Sequence, residues 1–423
     1  MLMGIKLKYA AAVLAAAVSC SSAAAECDLA AISESTAAEV FRACRAGAEA
    51  GDTASELNLA YIYAIGKKYQ DAAKWFRRAA DHGSADAEYL LGTLYLEGKG
   101  VTKSLSGAAG WFRKAAEQGH AGAEFSLGTL YASGLGLGKS PAEAVRWYRK
   151  AAEQGSSEAE NNLGQAYCEG NGVPQNFSEC ANLLRKSAEQ GNDAAMFNLA
   201  IMYENGRGVP QNYREAVKWH RMAADHGNML AEFNLANLYA NGRGVPVNFY
   251  EAKRLYERAA EKGYAPAYFN LGLMHQYGRP GVQASIPEAV KCYRRAADLG
   301  YPQAMVNLGS MYENGQGVTR NFTEAVRWYR KAAEQGFGLA ESNLGSMYQR
   351  GLGVSRNHNE AVRWFRKAAE QGSPEGQYNL GLMYRQGLGV QKNEREAEKW
   401  LRLAAAQGYA PAQSQAGGLH GRN

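Results

Sequence analysis

The chain has 423 residues, too many for one buried core, so it must fold as several units or as an array. Its 47 basic and 41 acidic side chains leave a formal charge of +6, lowered again once Lys6 and Lys8 leave with a leader, which is too mild to indicate a nucleic-acid partner. A hydrophobic share of 46% with 21% charged residues fits a soluble folded chain, while 48 glycines against 10 prolines point to turns at regular intervals.

Lys6 and Lys8 precede a short apolar run from Tyr9 to Val18, followed by small residues and Ala23, Ala24 and Ala25 before Glu26. This reads as a signal peptide, residues 1–25, cleaved after Ala25, which places the mature protein in the periplasm or outside the cell. The apolar run is too short to span a bilayer and no later stretch is long enough, so no membrane span is expected. A rival reading makes Ala17 to Cys20 a lipoprotein box with Cys20 as the lipid-bearing residue, although Ala17 stands where such boxes carry leucine. Behind the leader remain Cys27, Cys44, Cys168, Cys180 and Cys292. In an oxidising compartment the natural pairs are Cys27 with Cys44 and Cys168 with Cys180, leaving Cys292 free; buried free thiols are the alternative. There is no Cys-x-x-Cys, so a redox motif or zinc ribbon has little support, and neither a metal nor a cofactor is expected.

From residue 52 onward one motif repeats. Trp75, Trp111, Trp147, Trp219, Trp328, Trp364 and Trp400 fall almost entirely at multiples of 36 residues, with Leu183, Leu255 and Cys292 in the missing places. A glycine closes each of ten units, and the seventh carries one extra residue near Pro280. In the eighth unit, Ala304, Leu308, Met311 and Tyr312 lay an apolar stripe along a first helix that ends at Gly315-Gln316-Gly317-Val318. Glycine there supplies the left-handed cap. Asn321 then starts a second helix with Glu324 three residues on, a capping-box arrangement, and Ala325, Trp328, Tyr329, Ala332 and Ala333 form its inner face. The same start signal recurs at Ser140, Asn176, Asn212, Asn248, Ser285, Asn357 and Asn393. Gly92, Gly128, Gly164, Ala200, Ala236, Gly272, Gly309, Gly345 and Gly381 hold one place on the first helix, where a small residue lets the second helix approach. A lone hairpin cannot bury its apolar face, so stacked hairpins, an all-α solenoid, are expected.

The pattern A-x-x-N-L-G-x-M-Y-x-x-G-x-G-V followed by N-x-x-E-A-V-x-W-Y-x-K-A-A-x-x-G resembles the Sel-one-like repeat, a relative of the tetratricopeptide repeat. The resemblance implies a right-handed superhelical solenoid of helix-turn-helix repeats, with nine Sel-one-like repeats over residues 84–408. Residues 52–83 are shorter between Tyr63 and Trp75, lack the double-glycine turn, and are similar to a tetratricopeptide repeat. Residues 26–51 resemble a lone capping second helix, and 409–423 a partial first helix fading into a polar tail.

In the related repeats the first helices line a concave surface, which implies a ligand groove there. The residue three before each small position faces inward in those relatives, and here Tyr89, Phe125, Phe197, Phe233, Phe269 and Tyr378 occupy it. With Ile201, Leu230 and Leu273 they give an apolar track across the fifth to seventh units, to be weighed against ordinary packing between first helices. Arg207, Arg243 and Arg279 recur at one turn position and form a candidate basic rim for carboxylate or phosphate, or simply helix-end cations. An asparagine ladder (Asn58, Asn162, Asn198, Asn234, Asn270, Asn307, Asn343, Asn379) suggests internal hydrogen bonds to backbone. The spacing of the Trp and Tyr positions makes them core residues.

Catalysis needs dissimilar groups converging at one place, and near-identical repeats offer the reverse. There is no His-Glu-x-x-His, Gly-x-Ser-x-Gly, Walker loop or Ser-x-x-Lys. Cysteine-rich relatives have been labelled β-lactamases, and this chain lacks their cysteine pair in every unit. The leading reading is a monomeric, non-enzymatic scaffold or adaptor that holds a peptide or protein partner in its groove. A β-lactamase-like hydrolase and an envelope-glycan binder are the alternatives.

Overall fold

A computed structural model describes residues 27–29 and 37–417; the leader with its cleavage site and Cys20, and the end of the polar tail, lie outside the described residues. Among the described residues the chain forms 22 helices and no strand, only an isolated bridge between Arg279 and Val282. The fold is all-α, as the periodicity requires. It divides into two compact units, Met1–Asn212 and Tyr213–Asn423. Within each unit consecutive helices pack in series, so that a second helix lies against its own first helix and against the first helix of the next repeat.

The eighth repeat shows why. Its first helix, Pro302–Asn314, buries Ala304, Leu308 and Met311, and its second, Phe322–Glu334, buries Ala325, Trp328, Tyr329, Ala332 and Ala333. A Cβ at Gly309 would sit 2.6 Å from the Tyr329 ring, so the small residue admits that aromatic ring specifically. The two glycines of the turn can do different work. In the sixth repeat Gly242 takes the left-handed cap at φ 66°, whereas at Gly244 a Cβ would lie 2.4 Å from the carbonyl of Tyr213, the first residue of the preceding second helix.

The helix starts need one correction. Ser140, Asn176, Asn248, Asn321, Asn357 and Asn393 do accept from the backbone N–H of the Glu three residues on, but Ser285 makes no side-chain cap bond. The second half of a capping box is replaced. The cap residue's own N–H donates to a first-helix carbonyl, as Asn321 does to Tyr312 at 2.9 Å. The glutamate is thereby freed to pair with the cation three residues on: Glu251 with Arg254 at 2.9 Å, Glu288 with Lys291 at 2.6 Å.

At the start, the helix Ala37–Glu49 buries Val40, Cys44 and Ala48, and Cys27 and Cys44 lie at bonding distance, 2.03 Å. Asn58 Nδ2 donates to the Cys27 carbonyl at 2.8 Å. Cys168 and Cys180 form the second bonded pair at 2.14 Å, and Cys292 is free. The first repeat joins Thr53–Ile65 to Tyr69–Asp81 through Gly66, Lys67 and Lys68, with Lys67 itself in the left-handed region at φ 58°. The last helix, Ala410–Gly417, buries Ala412.

Three polar ladders tie the array. The asparagines are internal, as expected, yet beyond Asn58 their partners include tyrosine hydroxyls of the preceding second helix: Asn162 meets Tyr148, Asn270 meets Tyr256 and Asn307 meets Tyr293. Within a repeat, a buried glutamate near the start of the first helix accepts from the glutamine ending the second, as in Glu88 with Gln118 at 2.8 Å and Glu124 with Gln154 at 2.8 Å. Between repeats, an arginine of the second helix donates to the tyrosine hydroxyl 18 residues on: Arg113 to Tyr131 at 2.7 Å, Arg221 to Tyr239 at 2.7 Å, Arg330 to Tyr348 at 2.9 Å. Where this tie would fall between the sixth and seventh repeats, Glu257 and His275 stand instead.

Candidate functional site

The expected groove rings are half-buried and turned onto neighbours. Tyr89 stacks on His120 at 4.6 Å and lies 5.7 Å from Phe112; Phe125 lies 5.8 Å from Tyr148. Phe233 meets Tyr256 and Tyr264 at 5.6 and 5.0 Å, and Phe269 meets Tyr293 and Tyr301 at 5.8 and 5.3 Å. Tyr378 lies 5.4 Å from Tyr409. Each ring therefore fills a seam between its own second helix or the next repeat and leaves only part of its surface to solvent. Phe197 and Ile201 are half-buried in the first unit, and Leu230 is exposed.

The second unit holds an open cleft of 570 Å³ between the first helices Met229–Asn241 and Ala265–Tyr277 and the second helix Phe249–Glu261. It is lined by Asn237, Ala240, Asn241, Phe249, Tyr256, Asn270, Leu273, Met274 and Arg279. Leu273, Arg279 and the ladder residue Asn270 were singled out by sequence; the others were not. Asn237 follows the small Ala236 as Leu273 follows Gly272 and Ile201 follows Ala200, so the positional signal is present in the sequence, but Asn237 is polar and does not belong to an apolar track.

The amide of Asn237 organises the floor. Its Oδ1 accepts from the Tyr256 hydroxyl at 2.6 Å and from Asn270 Nδ2 at 3.4 Å, and its carbonyl accepts from Asn241 Nδ2 at 2.8 Å. Burial pushes the Tyr256 hydroxyl up to about 12, partly offset by Asn270, so it stays a donor at neutral pH. At the rim, Arg279 N–H donates to the Val282 carbonyl at 2.9 Å and Val282 N–H returns the bond at 2.7 Å, a pinch permitted by Gly278 and Gly281 at positive φ. Its guanidinium lies 5.8 Å over the Phe249 ring. Arg243 lies likewise over Tyr213 at 5.7 Å, and in the first unit Arg207 over Phe177 at 5.9 Å. Among the described residues, no group of three His, Cys, Asp or Glu side chains could hold a metal ion.

A family model, the Sel1 repeat, matches ten successive segments: residues 53–84, 85–120, 121–156, 157–192, 193–228, 230–264, 265–301, 302–337, 338–373 and 374–409. The chain belongs to the Sel1 repeat family. Among solved structures it is similar to c5321, a protective antigen of uropathogenic Escherichia coli strains with an SLR fold, at 38% identity and TM-score 0.75 over 90% of this chain and 82% of that one. It is also similar to a Sel1 repeat protein from Oxalobacter formigenes, at 31% identity and TM-score 0.51 over 58% of this chain and 96% of that one. None of the curated proteins compared with it matches. The α-solenoid of Sel1 repeats is a fold typical of protein–protein interaction scaffolds. No described helix is long and apolar enough to cross a membrane.

Proposed function

We propose that this Sel1 repeat protein is a non-enzymatic interaction scaffold that holds a peptide or protein partner against its first helices, in the periplasm or outside the cell. The observation that carries this is the open cleft of the second unit, which combines the apolar Leu273 and Met274 with amide donors and a rim arginine. Apolar contact plus a few placed donors is the chemistry of peptide recognition, and no group there is set up as a nucleophile with a base. Export is supported by the leader-like residues 1–25 and by the two bonded cysteine pairs, which suit an oxidising compartment.

The test is site-specific photo-crosslinking in the native compartment. A photoreactive residue at Leu273 is expected to give a discrete adduct with one protein, and the same residue at Leu403, an exposed position on the second helix Glu394–Ala406, is expected to give none. Equal yields at both positions, or none at Leu273, would sink the groove reading.

A further inference from the structure

We propose that the cleft takes an acidic, extended segment of its partner, seating a side-chain carboxylate on Arg279, with Arg243 one repeat away for a second, and an apolar side chain on Leu273 and Met274. This rests on the scaffold reading and adds the chemistry of what is held.

Around the cleft a positive charge is left without an opposite. Cations on the surrounding helices are paired: Arg254 with Glu251 at 2.9 Å, Lys253 with Glu257 at 2.5 Å, Arg258 and Lys262 both with Glu232 at 2.8 Å. Among the described residues no carboxylate reaches Arg243 or Arg279, and the same holds for Arg207 in the first unit. The turn position does not forbid pairing, because Lys99 occupies it in the second repeat and bonds Glu97 at 2.7 Å. Elsewhere Leu135, Asn171, Gln316, Leu352 and Leu388 hold this place, so at this turn position arginine without a carboxylate occurs in three successive repeats.

Arg279 is also held in place. Its backbone is pinned on both sides by the bridge to Val282, its Nη1 donates to the Gly278 carbonyl at 3.1 Å, and Phe249 supports one face. A guanidinium has five N–H donors, so an edge remains for two parallel bonds to a carboxylate. These two side-chain contacts, with Gly278 and Phe249, reduce the entropy lost on binding.

The lining of the cleft favours an anionic ligand. It contains no Asp or Glu. The acceptor oxygen of Asn237 is already used twice, which leaves its Nδ2 hydrogens for a ligand acceptor such as a peptide carbonyl. A site with a guanidinium cation, no carboxylate, an available amide donor and an apolar floor suits a chain carrying carboxylates and an apolar side chain.

Fluorescence anisotropy on the full chain tests this with a fluorescein-labelled peptide of alternating leucine and glutamate, its leucine–glutamine twin, and a C-terminally amidated form of the acidic peptide. The acidic peptide is expected to bind, more weakly as salt is raised, with the amidated form unchanged and the glutamine twin weaker by about tenfold or more. Arg279→Gln should lower affinity about tenfold and Arg243→Gln by less. Arg327→Gln, on a second-helix arginine already paired with Glu324, should have no effect. Equal binding of the twin, or unchanged binding by Arg279→Gln, overturns the acidic-segment inference while leaving a peptide-binding scaffold intact. Loss of binding on amidation alone would assign the site to a chain terminus and overturn the side-chain assignment. Absence of binding by every peptide, or displacement of the tracer by inorganic phosphate alone at comparable concentration, also overturns it, and the crosslink at Leu273 then judges the scaffold reading separately.

Discussion

Two seams in the second unit are built on the same plan and differ in their ties. Between the eighth and ninth repeats, Arg330 reaches the Tyr348 hydroxyl at 2.9 Å and Trp364 fills the following second helix, buried. Between the sixth and seventh, the corresponding residues are Glu257, His275 and Cys292. Glu257 turns back to Lys253 on its own helix, and the buried His275 Nδ1 has no partner. Cys292 is smaller than an indole, and burial, helped by Glu288 and Glu257, pushes its thiol up to about 11. A second cleft of 440 Å³ opens there, lined by Tyr250, Lys253, His275 and the turn from Gly281 to Ser285. The hairpins therefore carry the fold while the seam residues are adjustable, because a lost hydrogen bond at a seam leaves the packed helix pair on either side in place.

If hairpins carry the fold, they should fail alike beside either seam. Gly272→Val and Gly309→Val would each drive a side chain into a ring, Tyr293 or Tyr329, and each is expected to cost roughly 3 kcal/mol in chemical denaturation. Tolerance at one site only would break the comparison. Gly110, helical with nothing near its Cβ direction, is the control: Gly110→Ala should stabilise by about 0.5–1 kcal/mol.

The buried glutamates sharpen the contrast further, since the same substitution should have opposite signs in the two regions. Glu232 holds Arg258 and Lys262, so Glu232→Gln is expected to destabilise by about 1–2 kcal/mol. Glu341 holds only the neutral Gln371 by hydrogen bond, and burial raises its carboxyl above the usual range, with Lys367 and Gln371 offsetting in part. A raised acid binds its proton more tightly in the folded chain, so its stabilisation is full below the unfolded pKa and is lost as pH rises through the folded one. Glu341→Gln should therefore raise Tm at neutral pH, with the gain disappearing below the ordinary carboxylate range. A lower Tm at neutral pH would refute this.

The smallest effect is at the ties themselves. A double-mutant cycle on Arg330→Gln and Tyr348→Phe should return a coupling of about 1 kcal/mol, and one on Glu257→Gln and His275→Phe a coupling near zero. Substantial coupling between Glu257 and His275 would mean that the sixth–seventh seam has a tie of its own.

Much of the fold was legible because its determinants are local. The left-handed glycines and the Asn or Ser starts each act over about one helical turn, and the 36-residue spacing of Trp75, Trp111 and Trp147 repeats them, so helix limits could be read directly. The candidate site was less legible. Asn237 became part of it through Tyr256, 19 residues away, and Asn270, 33 away, and polarity at one position does not say which partner it will find. Phe233 and Phe269 were read as groove residues because their place on the helix faces inward in relatives, while their actual surroundings include Tyr264 and Tyr301 from the next repeat's first residue. The glutamine and arginine ladders went unread for the same reason, since each joins residues 30 or 18 apart whose pairing depends on how two helices rotate against each other.

Backbone preference and short-range spacing make this chain a series of helical hairpins, set where each hairpin begins and ends, and bring particular cysteines within reach of each other. Which rings are consumed by the seams, which arginines are left without a carboxylate, and where a cleft opens emerge from the packing of one repeat on the next. Those depend on side chains brought together from different repeats, and a repeating pattern, being nearly the same in every repeat, carries little information about the places where the copies differ in what they touch.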